Sequence, residues 1–155
     1  MLELRRILVP LDGSELSERA LPYAIALAKQ FQSEVTLLRV VEAPFQAGAT
    51  DSNVDHWARE ALQHGYREAQ SYLDTTEIEL KKQGIHARTL VREESPAADI
   101  LLAAKSENAD LIVISSHGKG GSTQWTAGSV ADKVMNHSPC PVFLVRRNNG
   151  AEMTR

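Results

Sequence analysis

Short apolar runs alternate with amphipathic stretches along this chain of 155 residues. Five of the runs are rich in β-branched and aliphatic side chains, a composition typical of buried strands. Between the runs, apolar side chains recur every three or four positions, which indicates helices with one buried face. The pattern therefore predicts strands and helices in strict alternation. The predicted strands are Arg6 to Leu11, Glu34 to Val41, Ala87 to Val91, Asp110 to Ser115 and Val142 to Val145.

Capping residues mark the ends of the predicted helices. Ser14 is a suitable N-cap for a helix that reaches about Gln32, and Gly84 is a suitable C′ residue for a long polar helix. That long helix begins between Asp51 and Val54 and ends at Gln83. The two remaining helices are predicted to open at Ser95-Pro96, with proline at the first helical position, and to run from Ser129 to His137.

The alternation predicts an α/β fold, because strands joined through helices pair in parallel by right-handed crossovers. We expect a Rossmann-like, doubly wound sandwich around one five-stranded parallel sheet in the order 3-2-1-4-5. The chain shows no internal repeat and no linker. It is therefore predicted to form a single domain over residues 1–147, followed by a flexible tail over residues 148–155.

Two loops of this fold carry candidate binding residues. Sheets of this kind bind ligands beyond the carboxyl ends of their strands, where the winding reverses. The first predicted strand is followed by Asp12-Gly13-Ser14, and the fourth leads into a glycine-rich segment from Ser115 to Gly121. A glycine-rich loop ahead of a helix offers backbone N–H groups and the positive end of a helix dipole to phosphate. If the two strands are neighbours, both loops open into one crevice and predict a nucleotide site; a merely flexible surface loop is the alternative.

Composition and charge narrow the class of protein. A hydrophobic fraction of 43% and a charged fraction of 24% are those of an ordinary globular domain. The net charge of -3 argues against a nucleic-acid binder. No apolar run approaches the roughly 20 residues that cross a bilayer, and the first residues lack the apolar core of a signal peptide. We therefore expect a cytoplasmic protein that binds neither nucleic acid nor membrane.

Several familiar catalytic and metal-binding motifs are missing. Gly120 follows Gly118-Lys119 where a Walker A motif requires Ser or Thr. Ser129 lacks the glycines two positions before and after it that mark a hydrolase nucleophile. The five histidines show no paired spacing of metal ligands. Cys140, the single cysteine, is either a small buried hydrophobe or a reactive thiol. We predict no catalytic residue and no protein metal site.

The glycine-rich segment resembles the nucleotide-binding signature of the universal stress protein family. That signature runs Gly, two residues, Gly, nine residues, then Gly with Ser or Thr, and it is matched here by Gly118 and by Gly128-Ser129 with nine residues between them. The first glycine of the signature is replaced by Ser115. The resemblance covers nearly the whole chain, including the opening segment from Ile7 to Ser14.

The resemblance also implies roles for individual residues. The adenine and ribose would be bordered by Pro10, Asp12, Val40, Ile114 and Ser115, with the Asp12 carboxylate accepting hydrogen bonds from ribose hydroxyls and Val40 offering backbone groups to adenine. The phosphates would receive backbone N–H groups from Gly118, Gly128, Ser129 and Val130, and the Ser129 hydroxyl. His117 is either a turn residue or a phosphate neighbour, and Lys119 either adds positive charge or is a solvated loop lysine.

In functional terms the resemblance implies a stress-response protein that binds ATP and acts by a change of conformation or through an unknown protein partner. A Mg²⁺ or Mn²⁺ ion would be held mainly by the phosphates. The last strand, Val142 to Val145, would form the interface of a homodimer. Two alternatives stay open: a slow ATPase or phosphotransferase, and a nucleotide-free interaction module, which the Ser115 replacement allows.

Overall fold

The computed structural model describes residues 1–43, 52–116 and 128–146. The residues expected to form the C-terminal tail, and Asp51 at the expected start of the long helix, lie outside these ranges. The strands are β1 (Arg6–Pro10), β2 (Glu34–Val41), β3 (His86–Glu93), β4 (Leu111–Ser115) and β5 (Val142–Val145). The helices are α1 (Glu15–Glu18), α2 (Ala20–Phe31), α3 (Ser52–Lys82), α4 (Pro96–Ser106) and α5 (Ser129–His137).

The strands form one parallel sheet in the order β3-β2-β1-β4-β5, as predicted. β1 lies in the middle, with β2 on one side and β4 on the other. The β1–β4 pairing places Ile7 beside Leu111 and Leu8 beside Ile112. The direction of winding therefore reverses between β1 and β4, which confirms the predicted doubly wound α/β fold.

Helices cover both faces of the sheet, and each face has its own apolar core. Because strand side chains alternate between faces, Leu37 packs with α2 and α3, whereas Leu38 packs with α4 and α5. Strands buried on both faces read as continuous apolar runs, which explains why these strands were visible in the sequence. The helical residues of the first core include Ala20, Ala24, Ala28, Leu73 and Leu80, and those of the second include Ile100, Ala103, Ala131 and Val134.

The prediction of one helix from Ser14 to Gln32 is wrong in one respect. Ser14 does cap its start, since its Oγ accepts the Ser17 N–H at 3.1 Å, but the helix is interrupted at Arg19 between α1 and α2. Pro22 accounts for the interruption. It has no N–H to donate to the carbonyl four residues earlier, and its ring collides with that carbonyl in a continuous helix.

Several other boundaries differ from the predicted ones by one or two residues, including the ends of β1 and α3. β3 is longer than Ala87 to Val91, because all eight of its residues pair with β2 and polar side chains are tolerated on an edge strand. β4 begins one residue after Asp110, whose carboxylate Oδ2 accepts the N–H groups of Arg5 and Arg6, each at 2.9 Å. Asp110 therefore ties the start of β4 to the start of β1.

None of the helices in residues 1–43, 52–116 and 128–146 is long and apolar enough to cross a bilayer.

Candidate functional site

Three neighbouring strands end at the same edge of the sheet. Pro10, the last residue of β1, pairs with Leu38, and the next N–H, that of Leu11, donates to the Leu38 carbonyl at 2.8 Å. Val40 follows two residues later on β2. On the other side of β1, β4 ends with Ile114 and Ser115. The predicted residues Pro10, Val40, Ile114 and Ser115 are therefore brought to one edge by the strand order.

The loop after β1 is held by its own side chains. The Ser14 N–H donates to Asp12 Oδ1 at 2.9 Å, which forms an Asx-turn. The buried Ser17 hydroxyl accepts the Asp12 N–H at 3.3 Å and donates to the Ser14 carbonyl at 2.9 Å. Between them Gly13 has φ +84°, a backbone angle that favours glycine. This loop, Asp12-Gly13-Ser14, keeps the half-buried Asp12 carboxylate at the carboxyl edge.

The end of β4 is buried and extended. Ser115 is 8% exposed and pairs with Val145. Within the described ranges, the non-glycine residues with positive φ are Gln32, Glu94 and Asn108, so Ser115 occupies ordinary strand backbone. Serine at this position therefore causes no backbone strain.

Ser116 joins the end of β4 to the start of α5. Its N–H donates to the Val145 carbonyl at 2.8 Å, and its carbonyl accepts the Gly128 N–H at 2.6 Å. Ser116 and Gly128 are thus neighbours in space although eleven residues separate them in the sequence. The predicted residues His117, Gly118 and Lys119 lie within that interval, outside the described ranges.

The N-terminus of α5 presents backbone N–H groups at the same edge. Gly128 is the N-cap and makes no side-chain capping bond, while its N–H is engaged by Ser116. The first-turn N–H groups of a helix have no acceptor within the helix. Those of Ser129, Val130 and Ala131 therefore point beyond the helix end, where the dipole attracts an anion.

Arg39 is a residue near this edge that the sequence reasoning did not single out. It lies on β2 between Leu38 and Val40, and its side chain is only 11% exposed. The guanidinium carbon is 5.1 Å from the centre of the Tyr72 ring on α3, in cation–π geometry. The signal in the sequence that could have identified Arg39 is its charge, which stands inside the mostly apolar run from Glu34 to Val41.

An open groove of about 520 Å³ lies beside Arg39. Tyr72 forms part of its lining and donates its hydroxyl to Glu18 Oε1 at 2.7 Å. Burial and this hydrogen bond to a carboxylate raise the pKa of the Tyr72 phenol. The other lining residues are Gly13, Glu18, Arg39, Glu68, Ser71, Thr75 and Thr76.

Neither a protein metal site nor a reactive cysteine emerges from the described residues. Across residues 1–43, 52–116 and 128–146, no group of three His, Cys, Asp or Glu side chains is arranged to hold a metal ion. Burial raises the pKa of the Cys140 thiol, and Ser138 Oγ lies 3.7 Å from its sulfur. A thiol with a raised pKa is a poor nucleophile, so Cys140 fits the description of a small hydrophobe.

Comparisons with known proteins agree with this architecture over almost the whole chain. The model of the universal stress protein family matches residues 3–146. Universal stress protein YxiE of Bacillus subtilis is 33% identical over 148 residues, which cover 91% of this chain and 98% of the relative.

Solved structures give the same result. Protein MJ0577 of Methanocaldococcus jannaschii, also named a universal stress protein, is similar with a TM-score of 0.84 at 28% identity, covering 96% of this chain and 100% of that one. Universal stress protein UspA of Lactobacillus plantarum shares the fold, with a TM-score of 0.84 at 24% identity and coverage of 94% and 100%. Sequence, sheet order and these similarities lead to one conclusion: this chain belongs to the universal stress protein family.

Proposed function

We propose that this chain binds ATP in the crevice between the ends of β1 and β4 and acts in the stress response through a change of conformation or a protein partner. The observation that carries the proposal is the adjacency of these two strands in the sheet. It brings the loop Asp12-Gly13-Ser14 and the N-terminus of α5 to one edge, so that an acceptor for sugar hydroxyls and donors for phosphate flank the same space.

Each part of the crevice suits one part of the nucleotide. Pro10 and Val40 border the adenine, with Val40 offering backbone groups to its edge, and Asp12 accepts hydrogen bonds from the ribose hydroxyls. Ile114 and Ser115 line the other side of the ribose.

The phosphates lie at the N-terminus of α5. Ser129 and Val130 donate their backbone N–H groups, and the exposed Ser129 hydroxyl adds another donor. Gly118 of the family signature adds its N–H, with His117 and Lys119 beside it in the sequence. A Mg²⁺ or Mn²⁺ ion is held mainly by phosphate oxygens and water.

Two proteins of the same fold support adenine nucleotides as the ligand class. A universal stress protein family member from Arabidopsis thaliana has been solved with AMP bound, and its structure is similar with a TM-score of 0.64 at 16% identity. A universal stress protein in complex with cAMP has a TM-score of 0.61 at 19% identity. At these identities the likeness is one of fold alone. It therefore supports the capacity of this fold to bind adenine nucleotides, and not the individual contacts proposed above.

The replacement of the first signature glycine by Ser115 is compatible with this proposal. A glycine would be essential there if the backbone required positive φ, and Ser115 lies in regular strand. The nucleotide-free interaction module is therefore the less favoured alternative, since the position that motivated it carries no strain.

Calorimetry with Mg-ATP tests the proposal. Asp12→Ala is expected to lose about 1 to 3 kcal/mol of binding free energy through a charge-assisted hydrogen bond, and Gly118→Val is expected to block phosphate binding with its branched side chain. Asp74→Ala, which removes an exposed carboxylate on α3, is the matched control and should bind as wild type does. Absence of heat in the wild type, together with no nucleotide in mass spectra of freshly purified protein, would contradict ATP binding; a turnover assay separates binding from hydrolysis.

We also propose that the protein is a homodimer through β5. This strand is one edge of the sheet, and it is short and apolar. An exposed apolar edge pairs readily with a second copy across a two-fold axis.

A further inference from the structure

Arg39 lies directly beneath the loop Asp12-Gly13-Ser14. A Cβ atom at Gly13 would lie only 2.8 Å from Arg39 Nη1 and 3.2 Å from its Cζ, so the guanidinium and the Gly13 backbone are in close contact. Leu37 packs on the α2–α3 side of the sheet and Leu38 on the other, which puts Arg39 on the α2–α3 side and Val40 on the side of α4 and α5. Arg39 therefore supports the loop from the face opposite to Val40.

Two contacts from α3 hold this arrangement in place. The Arg39 guanidinium lies over the Tyr72 ring in cation–π geometry, and its Nη2 is 3.6 Å from Glu68 Oε1, the distance of an ion pair rather than of a hydrogen bond. The Tyr72 hydroxyl donates to Glu18, four residues after Ser14 in α1. The loop is thus held at Gly13 by Arg39 and on its far side by the bond between Glu18 and α3.

We propose that Arg39 is a positioning residue for ribose recognition: it fixes the loop Asp12-Gly13-Ser14 and thereby the Asp12 carboxylate. This inference rests on the proposed nucleotide site for its ribose part, whereas the loop contact stands on the structure of the protein without ligand. The planar guanidinium contacts Gly13 while it lies over the Tyr72 ring, and a compact lysine ammonium cannot do both. Loss of the guanidinium leaves the loop without its support, so Asp12 no longer meets the ribose hydroxyls in one fixed geometry.

The first experiment needs no nucleotide. Amide hydrogen exchange is measured by NMR in wild type, Arg39→Gln and the control Arg88→Gln. Arg88 is a strand arginine at the amino end of the sheet, paired with Glu34 and Glu107. The Asp12, Ser14 and Ser17 amides each donate a hydrogen bond in this region, and their exchange is expected to rise about tenfold in Arg39→Gln and to stay unchanged in Arg88→Gln. Unchanged exchange at these amides in Arg39→Gln overturns the proposal.

The second experiment compares Mg-ATP with Mg-2′,3′-dideoxy-ATP, which lacks both ribose hydroxyls. Wild type is expected to prefer ATP by about tenfold, the value of one hydrogen bond to a charged group. Arg39→Gln should lose most of this preference while it keeps the affinity for the dideoxy nucleotide, and Arg88→Gln should keep the preference. A change that only destabilised the protein would weaken the binding of both nucleotides equally. Such a result, or a preference that Arg39→Gln leaves intact, overturns the ribose role.

Two milder variants cover the case in which Arg39→Gln does not fold. Arg39→Lys keeps the charge without the planar group, and Tyr72→Phe keeps the ring but removes the bond to Glu18. Both variants are expected to speed loop exchange, by less than Arg39→Gln would. If neither variant speeds it, the inference is overturned. Failure of the two proposals can be told apart. If wild type binds no ATP and Arg39→Gln still speeds loop exchange, the nucleotide site is rejected while Arg39 is confirmed as a support of the loop.

Discussion

Glu94 has an unfavourable backbone conformation at the edge that carries the candidate site. Its φ is +133°, whereas Gln32 and Asn108 have φ of +55° and +50°, in the left-handed helical region. That region is open to a few polar residues, but a φ near +133° suits only glycine and costs other residues about 1 to 3 kcal/mol. The Glu94 N–H donates to the Val41 carbonyl at 3.2 Å, so the pairing of β3 with β2 holds the strained residue in place.

We expect Glu94→Gly to stabilise the protein. Glycine releases the strain but has more conformational freedom in the unfolded chain, which offsets part of the gain. The free energy of unfolding should therefore rise by about 1 kcal/mol, as measured by urea denaturation. Asn108→Gly is the control and should change stability by only a few tenths of a kcal/mol, because asparagine tolerates the left-handed region. A loss of stability in Glu94→Gly would mean that the carboxylate makes a stabilising contact of its own.

Tyr72 predicts a specific loss of stability at alkaline pH. Because its pKa is raised in the folded protein, the unfolded chain releases this proton first, at about pH 10. The contribution of Tyr72 to stability is therefore complete below about pH 10 and declines as the pH rises above it. Denaturation curves from pH 8 to 11 should show a steeper alkaline decline in wild type than in Tyr72→Phe. Equal slopes in the two proteins would contradict a pKa raised by burial of the phenol and by its hydrogen bond to Glu18.

Among the elements, β5 combines an exposed edge with a buried face. Phe143 is 38% exposed, and its ring centre is 5.4 Å from that of Tyr23 on α2. Val145, two residues later, is only 5% exposed and belongs to the core beneath α2 and α3. A charge at Val145 would disrupt the folded monomer, so Phe143 is the position at which the dimer proposal can be tested cleanly.

If the protein is the proposed homodimer, Phe143→Lys is expected to convert it into monomers. The added charge would have to be buried when two β5 edges pair, whereas in the monomer it stays in water. Sedimentation at micromolar concentration measures the change. Ile78→Lys, an exposed aliphatic position on α3, is the matched control and should leave the dimer intact. Wild type that sediments as a monomer would reject the interface altogether.

For the molecule as a whole, the proposed nucleotide binding would be linked to folding through the reversal of winding. The crevice exists only when β1 lies between β2 and β4, because its walls come from three strand ends and from α5. A ligand bound there meets no comparable site in the unfolded chain. If the proposed nucleotide binds there, it must therefore stabilise the entire sheet rather than one loop.

Thermal unfolding with Mg-ATP measures this linkage. At a nucleotide concentration 100 times the dissociation constant, the added stability is about 2.7 kcal/mol. For a chain of this size that corresponds to a rise of Tm by about 5 to 10 °C. Gly118→Val should show no rise at the same concentration. A rise of equal size in Gly118→Val would place the nucleotide outside the proposed crevice.

Most features that depend on neighbouring residues in the sequence could be predicted, whereas most of those that depend on contacts between distant segments could not. β2 and α5 begin and end at the predicted residues, because a buried parallel strand and an amphipathic helix impose local patterns. The break at Arg19 was missed although its cause, Pro22, is local, because the periodic apolar positions continue through it. The extension of β3 to Glu93 depends on its pairing with β2, which the polar residues at its ends conceal.

The sequence by itself determined the fold class, the strand order and the family, since these follow from periodicity, turn residues and a glycine signature within short segments. Only the tertiary structure decided that Arg39 supports Gly13, that Tyr72 reaches Glu18, and that the Gly128 N–H is engaged by Ser116. Each of these contacts joins residues far apart in the chain. Their geometry depends on how helices pack across a twisted sheet, and no local pattern of polar and apolar side chains encodes it.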